Sequence, residues 1–306
     1  MKAWSGTDDG TPSATKQPDA EPVFEEPFGT RCRRWALGTA YALQPKRIHL
    51  MPRLAALTIA NVIHPVGSTQ QLLREHTPFG EEGLIGISDD LSVEAFIDAY
   101  SMGAFPVCHV GAMKWWSPAH RAIQFFEKTH IEKSTLSLIK KKEFTASFDK
   151  DFAGVVRACA EPRDGRTPLT WLTPRMMEAL WRMHKAGYAH SIELRNREGL
   201  LVGGMFGIGI GRVFFGESQF SKVRDVSKVA TAVLNCHLSH WGFALRDAKF
   251  LTPYLSGLGF TTVDRQTFLS LLQEHVHRPG YLGPWEFDTT LDVAQWASQV
   301  RKAAHS

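Results

Sequence analysis

Glu217 lies in the run Phe214-Phe-Gly-Glu-Ser-Gln-Phe220, so a carboxylate interrupts a strongly apolar strand, where burial without a partner is costly. Asp247 and Lys249 are two apart on or just beyond another strand, a spacing that puts both side chains on one face. Two readings stay open: a structural Asp247–Lys249 ion pair, or a cleft whose carboxylates orient or deprotonate an amine. Trp115, Trp116 and Trp171 would stack on a nucleobase if exposed and belong to the core if buried.

Other motifs point away from familiar chemistry. Gly207-Ile-Gly-Ile-Gly211 has its third glycine one residue early for a dinucleotide loop and lies within a strand-like run, so close backbone approach is the preferred reading. Gly216-Glu-Ser-Gln-Phe220 lacks the final glycine of a nucleophile elbow, so Ser218 is not read as a hydrolase nucleophile. His275 and His277 lack further Cys or His neighbours to complete a metal site.

The elements that must position these residues follow from periodicity and capping. Ser92 N-caps a helix ended by Gly103, and Thr173 with Pro174 opens one ended by Gly187. Lys114 to Pro118 and Ala122 to Phe126 read as short strands. Ser191 to Arg195, Leu201 to Ile210 and Arg212 to Phe220 form a meander broken by turns at Asn196 to Gly199 and at Gly211. Asp225 or Ser227 caps a long helix to Gly242, followed by a strand, Phe243 to Ala248. A short helix near Leu251 to Leu255, a strand Phe260 to Val263, a helix from Asp264 and one within Leu291 to Ala304 complete the series. Three consecutive strands and then alternating elements give an α+β fold with a mixed sheet.

The 306 residues, 43% hydrophobic, suffice for a large core. Four scattered cysteines suit a reducing compartment. No apolar run approaches the ~18 residues of a membrane span, and the first residues lack a signal-peptide pattern, so a cytoplasmic protein is expected. Residues 1–30 read as a disordered acidic tail. Residues 31–80 form a basic extension whose patch, Arg31, Arg33, Arg34, Lys46, Arg47 and Arg53, suits either nucleic acid or solvent.

Several segments occur together in a familiar order: Trp115-Trp-Ser-Pro118 with Arg121, Thr170-Trp171, Ala189-His-Ser-Ile-Glu193, Leu201-Val-Gly-Gly204, Phe214-Phe-Gly-Glu-Ser218 with Phe220-Ser221, and Ser227-Lys228. In these the chain resembles the leucyl/phenylalanyl-tRNA–protein transferases, over about residues 82 to 275. The resemblance implies a GNAT-like acyltransferase domain with a mixed sheet (169–278), preceded by a smaller α/β domain (81–168) and followed by a C-terminal tail with a helix (279–306). It implies a monomer that moves leucine or phenylalanine from the 3′ end of aminoacyl-tRNA to the N-terminal arginine or lysine of a protein, which is thereby marked for N-degron degradation. An amine attacking an already activated ester calls for no cofactor and no metal, only positioning, deprotonation and charge stabilisation. By the resemblance Glu217 holds the aminoacyl group and Asp247 orients or polarises the amine. Met205, Phe214 and Ser221 surround the side-chain pocket, and Trp171, with Trp115 and Trp116, belongs to the substrate site.

The chain also departs from that family. Lys249 stands where the family has a glutamine used in amine activation; its ammonium would pair with Asp247 and repel a protonated acceptor. Phe105-Pro-Val107 replaces Phe-Pro-Trp, Gln219 replaces a methionine of the pocket wall, and Ser88-Asp-Asp-Leu91 replaces Gly-Gly-Asp-Leu. Two alternatives follow: a non-catalytic protein that binds tRNA or protein N-termini, and an acyl-CoA N-acyltransferase. The second is disfavoured because Ser221 to Lys228 lacks a glycine-rich pyrophosphate loop. Asp247→Ala is expected to abolish transfer with the fold intact.

Overall fold

The structure, a computed structural model, describes residues 22–45, 47–63, 68–162 and 169–303. Residues 1–21 of the acidic tail and Lys46 of the basic patch lie outside the described residues. The tail expected to be disordered to residue 30 is ordered among its described residues: Phe24 is buried in the core, and Glu26 pairs with Arg34 at 2.8 Å. Helix α1 (Phe28–Ala42) starts there, followed in the extension by α2 (Met51–Ile63) and α3 (Thr69–Glu75). A three-stranded sheet follows, formed by β1 (Leu84–Ile87), β2 (Phe105–Pro106) and β3 (Lys114–Trp116) in the order β1-β3-β2, with α4 (Val93–Ser101) between β1 and β2. Ser92 Oγ accepts from the Ala95 N–H at 3.2 Å and fixes the start of α4, as its sequence anticipates.

The main sheet has seven strands. In chain order they are β4 (His120–Gln124), β5 (Thr145–Phe148), β6 (Ala189–Arg195), β7 (Leu201–Ile210), β8 (Val213–Ser221), β9 (Leu245–Asp247) and β10 (Thr261–Asp264). Their spatial order is β10-β4-β9-β8-β7-β6-β5, and β8–β9 is the parallel pair in an otherwise antiparallel sheet. The expected α+β class with a mixed sheet is thus the one observed. β4 and β5 precede residue 169, so the sheet joins segments on both sides of the division drawn at 168.

Helices cover both faces. The long helix α8 (Val226–His240) packs on β7 from one side, while α6 (Phe152–Ala160) packs on β7, and α7 (Pro174–Lys185) on β6. Two-residue alternation separates the cores: Phe206, Ile208 and Ile210 of β7 join the core with α4, α6 and α7, whereas Phe214 of β8 joins the core of α8. The β7–β8 turn depends on Gly211, at φ +56°, where an added Cβ would stand 2.1 Å from the Val276 carbonyl oxygen. The glycine run is therefore a strand-and-turn feature.

Remaining elements are α5 (Lys133–Lys140), α9 (Pro253–Gly257), α10 (Arg265–His275) and α11 (Val293–Ala303). The C-terminal segment is docked rather than trailing. Buried Trp285 stacks on His190 at 3.9 Å, and its backbone N–H donates to Asp149 Oδ2 at 2.8 Å. Among the described residues no helix is long and apolar enough to cross a membrane.

Candidate active site

A break in strand register exposes the central carboxylate. Phe206 faces Ser218 and Gly207 faces Gly216, which leaves Glu217 as the extra residue of a β-bulge. The bulge re-aims its side chain, and two donors converge on the same oxygen. Tyr100 of α4 donates to Glu217 Oε1 at 2.8 Å, and Lys249 Nζ donates to that atom and, at 2.7 Å, to the Gly216 carbonyl. Burial, reinforced by the charge and hydrogen bond of Glu217, holds the Tyr100 phenol well above its ordinary pKa, so the hydroxyl remains a donor.

Asp247 closes β9 beside β4 and is entirely buried. Arg121 of β4 grips it through two bonds, Nε to Oδ1 at 2.7 Å and Nη2 to Oδ2 at 2.8 Å. The same guanidinium donates to the Gly103 carbonyl at 2.7 Å and lies over the Phe105 and Phe268 rings. The Lys249 backbone N–H adds a 3.0 Å bond to Asp247 Oδ1. The expected Asp247–Lys249 side-chain pair does not form. β9 ends at Asp247, and Lys249 sits at φ +63°, a left-handed conformation uncommon for a residue with a side chain; its ammonium reaches Glu217 instead. The site thus holds two ion pairs, Arg121–Asp247 and Lys249–Glu217, joined through the Lys249 backbone.

A cavity of about 530 Å³ opens beside the bulge, between the β7–β8 strands and the segment leading into α9. Met205, Glu217, Gln219, Ser221, Arg246 and Phe260 are among its walls. Phe214 is buried in the core of α8, where it backs the strand rather than lining the cavity. Trp171 is half-buried against the other core, away from this cavity. Trp116 donates to the Val107 carbonyl at 3.1 Å and lines a second hollow with Phe105, Val107 and Phe250 beneath α1 and α2. Trp115 is fully buried and donates to the Ser88 carbonyl at 3.0 Å; it is a core residue with no face for stacking a substrate.

Sequence reasoning missed Tyr100 and Arg246, and it did not foresee Arg121 as the partner of Asp247. A charge at residue 246 inside the apolar-flanked strand Leu245-Arg-Asp247 was the one available signal for Arg246. Nothing local linked Tyr100 to Glu217, 117 residues away.

A family model described as leucyl/phenylalanyl-tRNA protein transferase matches residues 123–273, and the model of that family's N-terminal domain matches residues 89–119. The transferase of that name from Azotobacter vinelandii is 41% identical over 198 residues, covering 64% of this chain and 87% of the relative. The chain belongs to the leucyl/phenylalanyl-tRNA–protein transferase family. A further member, from Alkalilimnicola ehrlichii, is 38% identical over 243 residues and spans 79% of this chain and 92% of its own length. Among solved structures the chain is similar to FemX, at 10% identity and a TM-score of 0.38, over 51% of this chain and 64% of FemX. Glu217, Asp247 and Lys249 all fall inside the family match, as Tyr100 does inside that of the N-terminal domain; α1 to α3 lie outside both.

Proposed function

We propose that the chain transfers leucine or phenylalanine from the 3′ end of an aminoacyl-tRNA to the N-terminal amine of a protein. In this reading the acceptor begins with arginine or lysine, the product is marked for degradation, and the enzyme works as a monomer in the cytoplasm. The observation that carries it is a cavity of about 530 Å³ with Glu217 in its wall, bonded to Tyr100 and Lys249.

The ester that joins an amino acid to ribose is already activated, so catalysis reduces to positioning and charge. A protein α-amine has an ordinary pKa of about 8, and a sizeable share is neutral near pH 7.5 without a strong base. Glu217 is assigned to hold the α-amino group of the aminoacyl ester. Lys249 has three N–H donors, of which Gly216 and Glu217 take two; the third is assigned to the ester carbonyl oxygen as negative charge develops there. The amide C–N bond forms, the ester C–O bond breaks, and the proton released by the amine ends on the departing ribose hydroxyl. Asp247 is a positioning residue in this scheme, since it reaches the reaction through the Lys249 backbone N–H. Met205 and Ser221 are assigned to the aminoacyl side chain, with Phe214 as their support, and burial of a leucyl or phenylalanyl group there contributes about 1.5–3 kcal/mol. Following the resemblance, Trp171 is assigned to the terminal adenosine and Trp116 to substrate binding.

The test is a peptide aminoacylation assay with purified full-length protein, tRNA charged with labelled leucine or phenylalanine, and a peptide with N-terminal arginine. Labelled peptide is expected, and none when the peptide is acetylated at its N-terminus. Absence of label with every charged tRNA tried would overturn the reading.

A further inference from the structure

We infer that Arg246 makes the cavity a receptor for an acidic side chain, so that an aspartyl or glutamyl ester of tRNA serves as a donor alongside apolar ones; this rests on the aminoacyl-transfer reading above.

Arg246 lies in β9, in register with Phe214 of β8, and its side chain joins the α8 face of the sheet, opposite to that of Asp247. It lines the cavity yet is only 6% exposed. A buried guanidinium ordinarily has a carboxylate partner, because desolvating a lone cation is costly. Arg246 has none among the described residues. Nη1 donates to Asn235 Oδ1 at 2.6 Å, and Nη2 has a long 3.6 Å contact with Met205 Sδ. Buried Nε has no partner. Asn235 in turn donates to Gln124 and Thr129, so the network behind the guanidinium is neutral throughout. Burial lowers the pKa of Arg246 to about 10; the Tyr254 phenol opposes the shift, and no carboxylate does.

Charge in the cavity is therefore unbalanced. Glu217 is matched by Lys249, and Asp247 behind them by Arg121, which leaves Arg246 as an excess positive charge in the wall. Asn235 holds one edge of the planar fork through Nη1, while Nη2, with its long Met205 contact, lies toward Gly216 in the cavity wall as the donor available to a carboxylate.

The span suits a short side chain. Lys249 Nζ rests on the Gly216 carbonyl, and Arg246 Nη2 is 3.9 Å from where a Cβ on Gly216 would stand, so the two cations flank one residue. Gly216 adjoins Glu217, so an aminoacyl group whose α-amine meets Glu217 would bring a short acidic side chain, aspartyl or glutamyl, toward the guanidinium. Gln219 adds an amide to the same wall.

The experiment compares equilibrium binding of two stable mimics, adenosine carrying glutamate or leucine through a 3′-amide, to full-length wild type, Arg246→Met and Arg246→Lys. Wild type is expected to bind the glutamyl mimic, and Arg246→Met to lower the glutamyl-to-leucyl preference by about tenfold or more, as loss of a charge-assisted pair requires. Arg246→Lys, which keeps the charge, is expected to hold part of that preference, and it keeps the test open should the Met variant not fold. Failure of wild type to bind the glutamyl mimic, or a preference unchanged in both variants, would overturn the inference. Failure of the aminoacyl-transfer reading shows separately, as absence of labelled peptide with every charged tRNA, including those bearing leucine and phenylalanine.

Discussion

Asp247→Asn preserves shape and removes charge, which makes it the sharpest probe of the buried ion pair. Arg121 is 1% exposed and Asp247 fully buried, so the guanidinium cannot recover hydration when its counter-ion is neutralised. The new amide also turns an N–H₂ group toward an arginine donor if it keeps its oxygen on Nε and on the Lys249 N–H. Removing one partner of a buried pair costs about 3–5 kcal/mol. At about 2–4 °C per kcal/mol for a chain of this size, the melting temperature falls by roughly 6–20 °C. Urea unfolding of the full chain, followed by far-ultraviolet circular dichroism, measures the loss directly. Arg121→Met in the same background removes the stranded charge, so the double variant is expected to be more stable than Asp247→Asn alone. A loss below about 1 kcal/mol, or additivity of the two substitutions, would refute the argument. The sequence-based expectation that Asp247→Ala leaves the fold intact is revised on the same ground.

Tyr100→Phe removes one of two donors to Glu217 Oε1; a hydrogen bond to a charged group is worth about 1.5–3 kcal/mol, so kcat/KM for peptide transfer is expected to fall roughly 10- to 150-fold, and unchanged kinetics would remove Tyr100 from the site. His109, His184 and His237 have pKa values lowered chiefly by burial, so the unfolded chain binds more protons than the native one below about pH 6.5. Their contribution to stability is present above that pH and lost as pH falls through the native values; urea midpoints that do not decline from pH 7.5 to pH 5 would contradict this. Burial raises the Cys236 thiol to about 12, and Cys108 and Cys159 are buried as well, so a thiol reagent at pH 8 should react fast only with exposed Cys32. Cys32→Ser is expected to remove that fast phase.

The helices that carry their own signals were legible. Thr173 Oγ1 accepts from the Met176 N–H at 3.3 Å with Pro174 in the first turn, and Asp264 caps α10 through the Thr267 N–H at 2.9 Å. The extension lacks such marks: Pro27 provides no side-chain cap for α1, and α2 buries none of its residues, so neither helix announces itself by capping or by a core-facing stripe. β5, four residues long, gives little periodicity to read, whereas α6 carries an Asp151 cap on the Gly154 N–H at 3.0 Å and an apolar stripe at Phe152, Val155, Val156 and Cys159 that sequence reasoning missed.

Local order in the chain settles which residues are chemically capable, because capping, alternation and turn composition act over a few positions. It singled out Glu217, Asp247 and Lys249 and ordered β6 to β8 around them. Which charge meets which was decided by the tertiary structure alone. Arg121 and Asp247 are 126 residues apart, and Lys249 and Glu217 are 32 apart. One bulged residue in β8 and one left-handed residue after β9 determine where those side chains point. A single-residue register change reverses the face of a strand side chain, and register is a property of the paired strands, so no single stretch of sequence contains it.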